Sequence, residues 1–201
     1  MAALAAGALT SMAQVYSANI VGYYNVTCPV GFTMTANQLQ ASPDNTVVSL
    51  FPNMPDNVEV WGWNGVSFAP NTSYGGQTWD DNSQTFNPGD GMFIHNVGGS
   101  SLTVTFVGQV PTGTLTKTLG GSPTFTLSGS IVPQAGNLET EMNLHPNQND
   151  EVWFWNGVSY APDTFYDVGT WDADPIVTVG QGWFYKNNAA ITVTWTRTFN
   201  P

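Results

Sequence analysis

Basic side chains are almost missing from this chain of 201 residues, which has 3 Lys and Arg against 14 Asp and Glu and a formal net charge of -11. Proteins hold a nucleic-acid backbone or an anionic membrane surface mainly with clustered cations. Lys117, Lys186 and Arg197 are too few for that role. We therefore expect no nucleic-acid partner and no anionic lipid partner, whereas the acidic balance favours solubility and permits weak binding of divalent cations.

Cysteine and histidine are scarce as well, and this limits the chemistry available. Cys28 is the only cysteine, so an internal disulfide is excluded, and a lone cysteine in a strand-like segment is typically a small buried hydrophobe. His95 and His145 are the only histidines, there is no G-x-S-x-G motif, and His95 is expected to be a solvated surface residue. The sequence thus predicts a protein that is not an enzyme. A glycoside-active enzyme, which needs two opposed carboxylates, is the least favoured interpretation.

Long apolar runs are also absent. No stretch approaches the roughly 18 residues that a membrane-spanning helix requires, so no membrane insertion is expected. The first residues, MAALAAGALTSMAQ, combine a short apolar run with small residues at Ser11 and Ala13, which is typical of signal-peptide cleavage, although the usual basic region is missing. Residues 1–14 are therefore predicted to be a signal-peptide remnant, and the protein to be secreted or held on the cell surface. A packed N-terminal helix is the alternative.

What the chain does have is an internal repeat. The segment VWGWNGVSFAP at 60–70 returns as VWFWNGVSYAP at 152–162, with only Gly62 and Phe68 replaced. Because the similarity continues on both sides, the repeat is a whole structural unit rather than a short motif. The further matching segments are GFTMTANQL at 31–39 with PTFTLSGSI at 123–131, Trp79 with Trp171, and SLTVTF at 101–106 with AITVTW at 190–195.

Each unit is predicted to be antiparallel β-structure. The composition is rich in Thr, Asn, Gly and aromatic residues, and the prolines fall between alternating apolar runs, where they do not interrupt a strand ladder. The fold class is therefore expected to be all-β, with two tandem homologous units, residues 15–108 including a lead-in strand and residues 109–201. Each unit is expected to be sandwich-like or barrel-like, and an approximate two-fold axis is expected to relate them. Short helical turns are expected at 44–50 and 137–144, each opened by an Asp or Asn cap.

Two kinds of hairpin are predicted in each unit. Asn-Gly at 64–65 and at 156–157 stands between alternating runs, which is typical of a two-residue turn whose residues both adopt positive φ. The runs GMFIHNV and LTVTFVG predict a second hairpin around the two glycines at 98–99. Alternation in the closing strand of the second unit predicts that Ile191 faces the core.

Several of these segments together resemble a known group of proteins. The lead-in YSANIVGYYNV, the W-x-W-N-G-V-S motif, the turn-strand segments PGDGMFI and VGQGWFY, and the closing TWTRTF are similar to secreted β-repeat proteins of Verrucomicrobia-type bacteria. The resemblance covers nearly the whole chain. It implies export and an all-β fold, and it carries no activity, cofactor or site residue over to this sequence.

Aromatic residues supply the candidate ligand site. Alternation along the repeated strand puts Trp61 and Trp63 on one face, and Trp61 with its counterpart Trp153 is expected to be core, because large aromatics dominate burial in small β-units. Loop-like, Asp-flanked sequence surrounds a second aromatic set, which is predicted to form exposed platforms for a glycan. The residues of this set are Tyr74, Trp79, Tyr166 and Trp171.

The same two loops are candidates for a calcium site. Close-set carboxylates with a side-chain amide are ligands that suit Ca²⁺, although neither loop fits the usual D-x-[DN]-x-[DN]-G pattern. A polar turn opened by Asp is the alternative, and no other cofactor is expected. The candidate ligands are Asp80, Asp81, Asn82, Asp172 and Asp174.

The leading interpretation of function follows from these features taken together. A secreted start, tandem β-units, low charge density and few catalytic side chains favour a non-enzymatic exported β-protein. Its role would be that of a structural or adhesion subunit of a cell surface, extracellular matrix or filament, assembled as a homo-oligomer or filament by strand exchange. The alternative is a carbohydrate-binding module that holds a glycan on Trp platforms.

Overall fold

The computed structural model describes residues 20–121, 125–173, 175–189 and 191–200. These residues form fifteen β-strands and one single-turn helix, so the predicted all-β class with antiparallel sheets is confirmed. The predicted signal-peptide remnant at 1–14 lies outside the described residues, and so does Asp174. The elements are β1 (Val21–Cys28), β2 (Gly31–Ala36), α1 (Val47–Leu50), β3 (Glu59–Trp63), β4 (Phe68–Thr72), β5 (Gly91–Asn96), β6 (Leu102–Gln109), β7 (Gly113–Leu119), β8 (Phe125–Gly129), β9 (Gly136–Asn137), β10 (Glu151–Trp155), β11 (Tyr160–Asp167), β12 (Thr170–Trp171), β13 (Ile176–Val177), β14 (Gly182–Lys186) and β15 (Val193–Phe199).

The first half of the chain builds a four-stranded sheet in the order β2-β5-β3-β4 and a separate two-stranded ribbon of β1 and β6. Successive residues of a strand point to opposite faces of the sheet. Strand β5 therefore sends Met92 and Ile94 to one face and Phe93 to the other. Met92 and Ile94 pack with Tyr24 and Phe106 of the ribbon in the first apolar core. The ribbon thus covers one face of the sheet.

The second half of the chain has the same order of strands. Its sheet runs β8-β14-β10-β11 with β12 added at the edge, its ribbon consists of β7 and β15, and β9 and β13 form a further small pair. Here β14 sends Trp183 and Tyr185 into a second core, where they pack with Leu119 and Trp195 of the ribbon. Each half therefore has its own core between a sheet and a ribbon.

The strand registers of the two halves also agree. Trp61 lies opposite Pro70 in the β3–β4 pair, and Trp153 lies opposite Pro162 in the β10–β11 pair. In both halves the strand that begins at the second glycine of Gly89-Asp90-Gly91 or Gly180-Gln181-Gly182 lies between two other strands of its sheet. The unit boundaries and the two-fold relation between the units stay predictions.

The predicted second hairpin is wrong in both halves. Strand β5 already has β2 on one edge and β3 on the other, so β6 has no free edge of β5 to pair with. Instead, the exposed residues 97–101 connect β5 to β6, and β6 pairs with β1 along its whole length. In the second half β15 pairs with β7 in the same way. Ile191, which precedes β15, is 70% exposed and does not face the core as predicted.

The Asn-Gly hairpin exists, but its loop has four residues rather than two. Trp63 pairs with Phe68, so residues 64–67 form the loop. Only the glycine, Gly65, has a positive φ, of 97°. Asn64 uses its side-chain oxygen instead, which accepts the backbone N–H of Val66 at 2.9 Å and that of Ser67 at 2.8 Å. The loop at 156–159 repeats this geometry.

Three smaller predictions concern single segments. Helix α1 confirms a helical turn within 44–50, but its N-cap is Thr46 rather than the predicted Asp44, whose carboxylate accepts the Thr46 N–H instead. At 137–144 the chain forms hydrogen-bonded turns rather than a helix, and the Asn137 side chain accepts the N–H groups of Glu139 and Thr140. Cys28 is fully buried as expected, and burial raises the pKa of its thiol to about 11.

No helix among the described residues is long and apolar enough to cross a bilayer.

Candidate functional site

The structure contradicts the predicted exposed platform at Trp79. This side chain is only 5% exposed and belongs to the first core, where its ring centroid lies 6.0 Å from that of Phe51. Polar neighbours on both sides of Trp79 indicate a surface segment, and the backbone does lie near the surface. However, Asn82 accepts the Trp79 backbone N–H at 2.9 Å and closes a tight turn whose indole faces inward.

Trp171 is half-buried and also has neighbours of its own. Its indole Nε1 donates to Glu139 Oε2 at 2.9 Å, and its ring centroid lies 5.1 Å from that of Phe165. The ring therefore packs against the second core rather than standing free. An open platform at this residue is not formed.

Tyr74 and Tyr166 are exposed, as predicted, at 57% and 43%. Each hydroxyl donates to a carboxylate of its own loop, Tyr74 to Asp80 at 2.6 Å and Tyr166 to Asp172 at 2.9 Å. The hydrogen bond from Tyr74 is the main reason that the pKa of Asp80 lies below its usual value. These tyrosines hold two equivalent loops by hydrogen bonds. The rings of Trp79 and Trp171, with which they were expected to form platforms, pack against the two cores instead.

The predicted calcium ligands are used by their own loops in the same manner. Asp80 also accepts the Thr72 N–H, Asp172 accepts the Thr164 N–H, and Asp81 accepts the Ser83 N–H and hydroxyl. In the part of the chain that the structure describes, which leaves out Asp174, no three His, Cys, Asp or Glu side chains lie close enough together to hold a metal ion. The loops therefore have the geometry of polar turns, the alternative weighed above.

A different surface collects the remaining aromatic residues. Alternation puts Val60 of β3 in the first core, so Trp61 and Trp63 point to the opposite face of the sheet, toward the other half of the chain. There they meet their own counterparts from the second sheet. We call this cluster the aromatic groove, and it consists of Phe32, Trp61, Trp63, Phe68, Phe93, Phe125, Trp153, Trp155, Tyr160 and Phe184.

The four repeated tryptophans are only half-buried in the aromatic groove, so the expectation that Trp61 and Trp153 are core residues holds only in part. They pack around a third apolar cluster whose buried centre includes Phe93 and Phe184. That cluster lies between the two sheets rather than inside either unit.

Contacts across the aromatic groove are reciprocal. The Trp63 indole donates to the Phe125 carbonyl at 2.8 Å, and the Trp155 indole donates to the Phe32 carbonyl at 3.0 Å. Phe32 and Phe125 hold the same place in their sheets, since they pair with His95 and Lys186 respectively. Contacts in which each partner supplies the same groups are those that a two-fold relation requires.

Two open pockets lie in the aromatic groove, and they are lined by equivalent residues with the two halves exchanged. The first encloses about 200 Å³ and the second about 220 Å³. Both pockets share Phe68 and Tyr160 as a common wall, and the buried rings of Phe93 and Phe184 belong to one pocket each. The first pocket is lined by Phe32, Trp61, Phe68, Phe93, Trp155 and Tyr160, and the second by Phe125, Trp153, Tyr160, Phe184, Trp63 and Phe68.

A carboxylate paired with an imidazole lies beside the first pocket. Glu59 accepts the Trp61 indole N–H at 2.9 Å and contacts His95 Nδ1 at 2.8 Å, and the His95 ring stacks on Phe32 with a centroid distance of 4.0 Å. The hydrogen bond from His95 is the main cause that lowers the pKa of Glu59. His95 is thus partly buried and paired, not the solvated surface residue that its sequence context suggested.

The second pocket has the matching arrangement. Glu151 accepts the Trp153 indole N–H at 2.7 Å and the Lys186 ammonium at 2.8 Å, and that ammonium lies 5.7 Å from the Trp153 ring centroid. Burial opposes ionisation of Glu151, but hydrogen bonds from Lys186, Asn188 and Trp153 outweigh it and lower its pKa. Each pocket is therefore lined by aromatic rings alone, and a carboxylate is hydrogen-bonded to one tryptophan of its lining.

Sequence reasoning missed the non-tryptophan half of the aromatic groove, including Phe32, Phe68, Phe125 and Tyr160. One signal was available: Phe68 and Tyr160 are one of only two differences within the repeated segment, and both are aromatic.

Comparison with known proteins identifies no family for this chain, because no family model, no curated protein and no solved structure matches it.

Proposed function

We propose that this chain is a non-enzymatic, exported binding protein that holds a neutral glycan in the aromatic groove. The observation that carries the proposal is the pair of equivalent pockets, each walled by aromatic rings, with Glu59 or Glu151 hydrogen-bonded to one tryptophan of the wall. Sugar rings present apolar C–H faces that stack on aromatic side chains, and their hydroxyls donate to carboxylates.

The size and charge of the pockets narrow the ligand class. Each pocket lies below the roughly 300 Å³ at which pockets for drug-sized molecules begin, so each suits a single ring. The net charge of -11 and the carboxylates Glu59 and Glu151 disfavour an anionic polymer. A neutral glycan whose rings carry equatorial hydroxyls, such as a β-linked glucan, therefore fits best.

The proposal is tested by binding of the whole protein to neutral β-glucans. Pull-down measures retention on an insoluble glucan, and the tryptophan fluorescence of the aromatic groove measures binding of a soluble one. Trp61→Ala and Trp153→Ala are expected to lower retention by at least tenfold. Tyr74→Ala is the matched control, because Tyr74 is an exposed aromatic outside the groove, and it is expected to bind as the parent does. Equal retention of all three variants, or none by the parent, would refute the proposal.

A second candidate function is that of an assembly subunit at the cell surface, in a matrix or in a filament. It is favoured by the outer face of the β1–β6 ribbon, where Tyr23 is 73% exposed and stands directly opposite the exposed Val107, with Val21 two residues away. Exposed apolar residues on a strand ribbon are typical of contact with another copy. Light scattering over a concentration series, with Tyr23→Ser as the variant, tests this role, and a parent that stays monomeric throughout contradicts it.

A further inference from the structure

We propose that one linear oligosaccharide occupies both pockets of the aromatic groove at once, and that the Tyr160 hydroxyl binds the part of the ligand that passes between them. This inference rests on the proposed function and specifies how many ligands bind and which residue joins the two subsites. It assigns Tyr160 a role that no other position in the repeat can fill.

The common wall of the two pockets is the first argument. The Phe68 ring centroid lies 5.5 Å from that of Phe93, on the floor of the first pocket, and 6.0 Å from that of Phe184, on the floor of the second. Tyr160 likewise lies 6.5 Å from Phe93 and 5.8 Å from Phe184. The pockets are thus adjacent and separated by the thickness of one aromatic layer, too close for two long ligands to pass independently.

Pocket size is the second argument. A pocket that takes one ring leaves the neighbouring rings of a polymer outside it, and here a second ring-sized pocket lies directly beside the first. An extended chain that fills both pockets would therefore cross the wall of Phe68 and Tyr160 that they share. Joining two weak subsites in one ligand raises its affinity far above that of either ring alone.

The hydroxyl of Tyr160 is the third argument. Tyr160 is 36% exposed, and its hydroxyl has no hydrogen-bond partner among the described residues, whereas Phe68 on the other side of the wall has no hydroxyl to offer. Burial raises the pKa of Tyr160, so the group stays protonated and can donate at neutral pH. Of the two residues that line both pockets, Tyr160 therefore carries the one hydroxyl with which a spanning ligand could form a hydrogen bond.

The test is isothermal titration calorimetry of the whole protein with glucose and with its β-1,4-linked dimer, tetramer and hexamer. One hexamer per chain, bound at least tenfold more tightly than the dimer, is the expected result. Trp61→Ala and Trp153→Ala should each reduce hexamer affinity to that of the dimer, because either one removes a subsite. Trp61→Phe and Trp153→Phe serve as milder variants if an alanine variant does not fold, as judged by circular dichroism.

The role of Tyr160 has its own pair of variants. Tyr160→Phe is expected to weaken the hexamer roughly 2- to 10-fold, the effect of one lost hydrogen bond, and to leave the dimer unchanged. Phe68→Tyr is the matched control that adds a hydroxyl on the opposite side of the wall. Two hexamers per chain, each lost with only one tryptophan, would overturn this inference and leave the proposed function intact. No heat with any glucan would overturn both.

Discussion

Substitution of Gly129 by alanine is expected to destabilise the protein strongly, because this glycine lies where the two sheets cross. A Cβ at Gly129 would overlap the Cβ of Ala36, well inside van der Waals contact. Ala36 and Gly129 occupy equivalent places, since they pair with Gly91 and Gly182 respectively in their own sheets. At the crossing, one of the two equivalent positions has a methyl group and the other makes room for it.

The size of the effect follows from what surrounds the overlap. Neither residue can move aside alone, because Ala36 N–H donates to the Gly180 carbonyl and Gly129 N–H donates to the Gly89 carbonyl, both at 3.0 Å. Overpacking of a close-packed interior lowers the free energy of unfolding by about 1–3 kcal/mol. Because backbone hydrogen bonds hold both residues in place, we expect Gly129→Ala to cost the upper end of that range or more. Ala36→Gly alone should cost about 1–2 kcal/mol, the sum of a lost buried methyl group and a more flexible unfolded chain.

The double variant Ala36→Gly with Gly129→Ala decides whether this reasoning is right. It moves the single methyl group from one unit to the other, so the stability of the double variant should return to within about 1 kcal/mol of the parent. The double variant would then be much less destabilised than the sum of the two single variants. Thermal unfolding measures this, since 1 kcal/mol corresponds to about 2–4 °C in Tm for a chain of this size. A neutral Gly129→Ala, or a double variant no more stable than Gly129→Ala, would show that the two positions are not equivalent.

Three further predictions concern residues away from the crossing. Tyr185→Phe removes a hydroxyl that donates to the fully buried Asp150, so urea unfolding should show a loss of about 1–3 kcal/mol, because a buried acceptor loses a partner, and no measurable loss would contradict this hydrogen bond. Trp79→Ala should cost about 3–5 kcal/mol in the same assay because the ring is core, whereas a neutral result would restore the surface interpretation. Tyr74→Phe tests the lowered pKa of Asp80. A carboxylate whose pKa is lowered in the folded state stabilises the fold above its unfolded pKa of roughly 3.9, so the unfolding free energies of parent and variant should differ at neutral pH and converge as acid protonates Asp80. A difference that persists in acid would contradict this explanation.

Much of the sheet architecture could be predicted from the sequence, because it depends on local patterns. The repeated segment at 60–70 and 152–162 does form the same strand pair twice, with the same register. Alternation correctly put Trp61 and Trp63 on one face, since the two faces of a strand are determined by chain geometry alone.

The partner of each strand could not be predicted in the same way. A run such as LTVTFVG pairs equally well with any free edge, and only the completed sheet shows that both edges of β5 are taken. The sequence alignment of 31–39 with 123–131 was also shifted by one residue. It matches Phe32 with residue 124, whereas the strand pairing makes Phe32 equivalent to Phe125. In a strand, a shift of one residue moves a side chain to the opposite face, which hid both phenylalanines from the sequence interpretation.

The aromatic groove was harder still to predict, because a pattern shows that a face is apolar but not what covers it. Each sheet already buries one face in its own core, under its own ribbon. The second apolar face of each sheet must then be covered by the other unit, and the two faces that meet are nearly the same surface. Large, flat rings such as Trp61 and Trp153 pack edge to face around that junction, with interplanar angles of 85° between Phe32 and Trp61 and 80° between Phe125 and Trp153. Rings in that arrangement leave ring-sized gaps between them, and a repeated sheet surface leaves each gap twice. The fold and the proposed site are therefore linked, because the packing of the aromatic face of each sheet against that of the other both joins the two halves and leaves the two pockets.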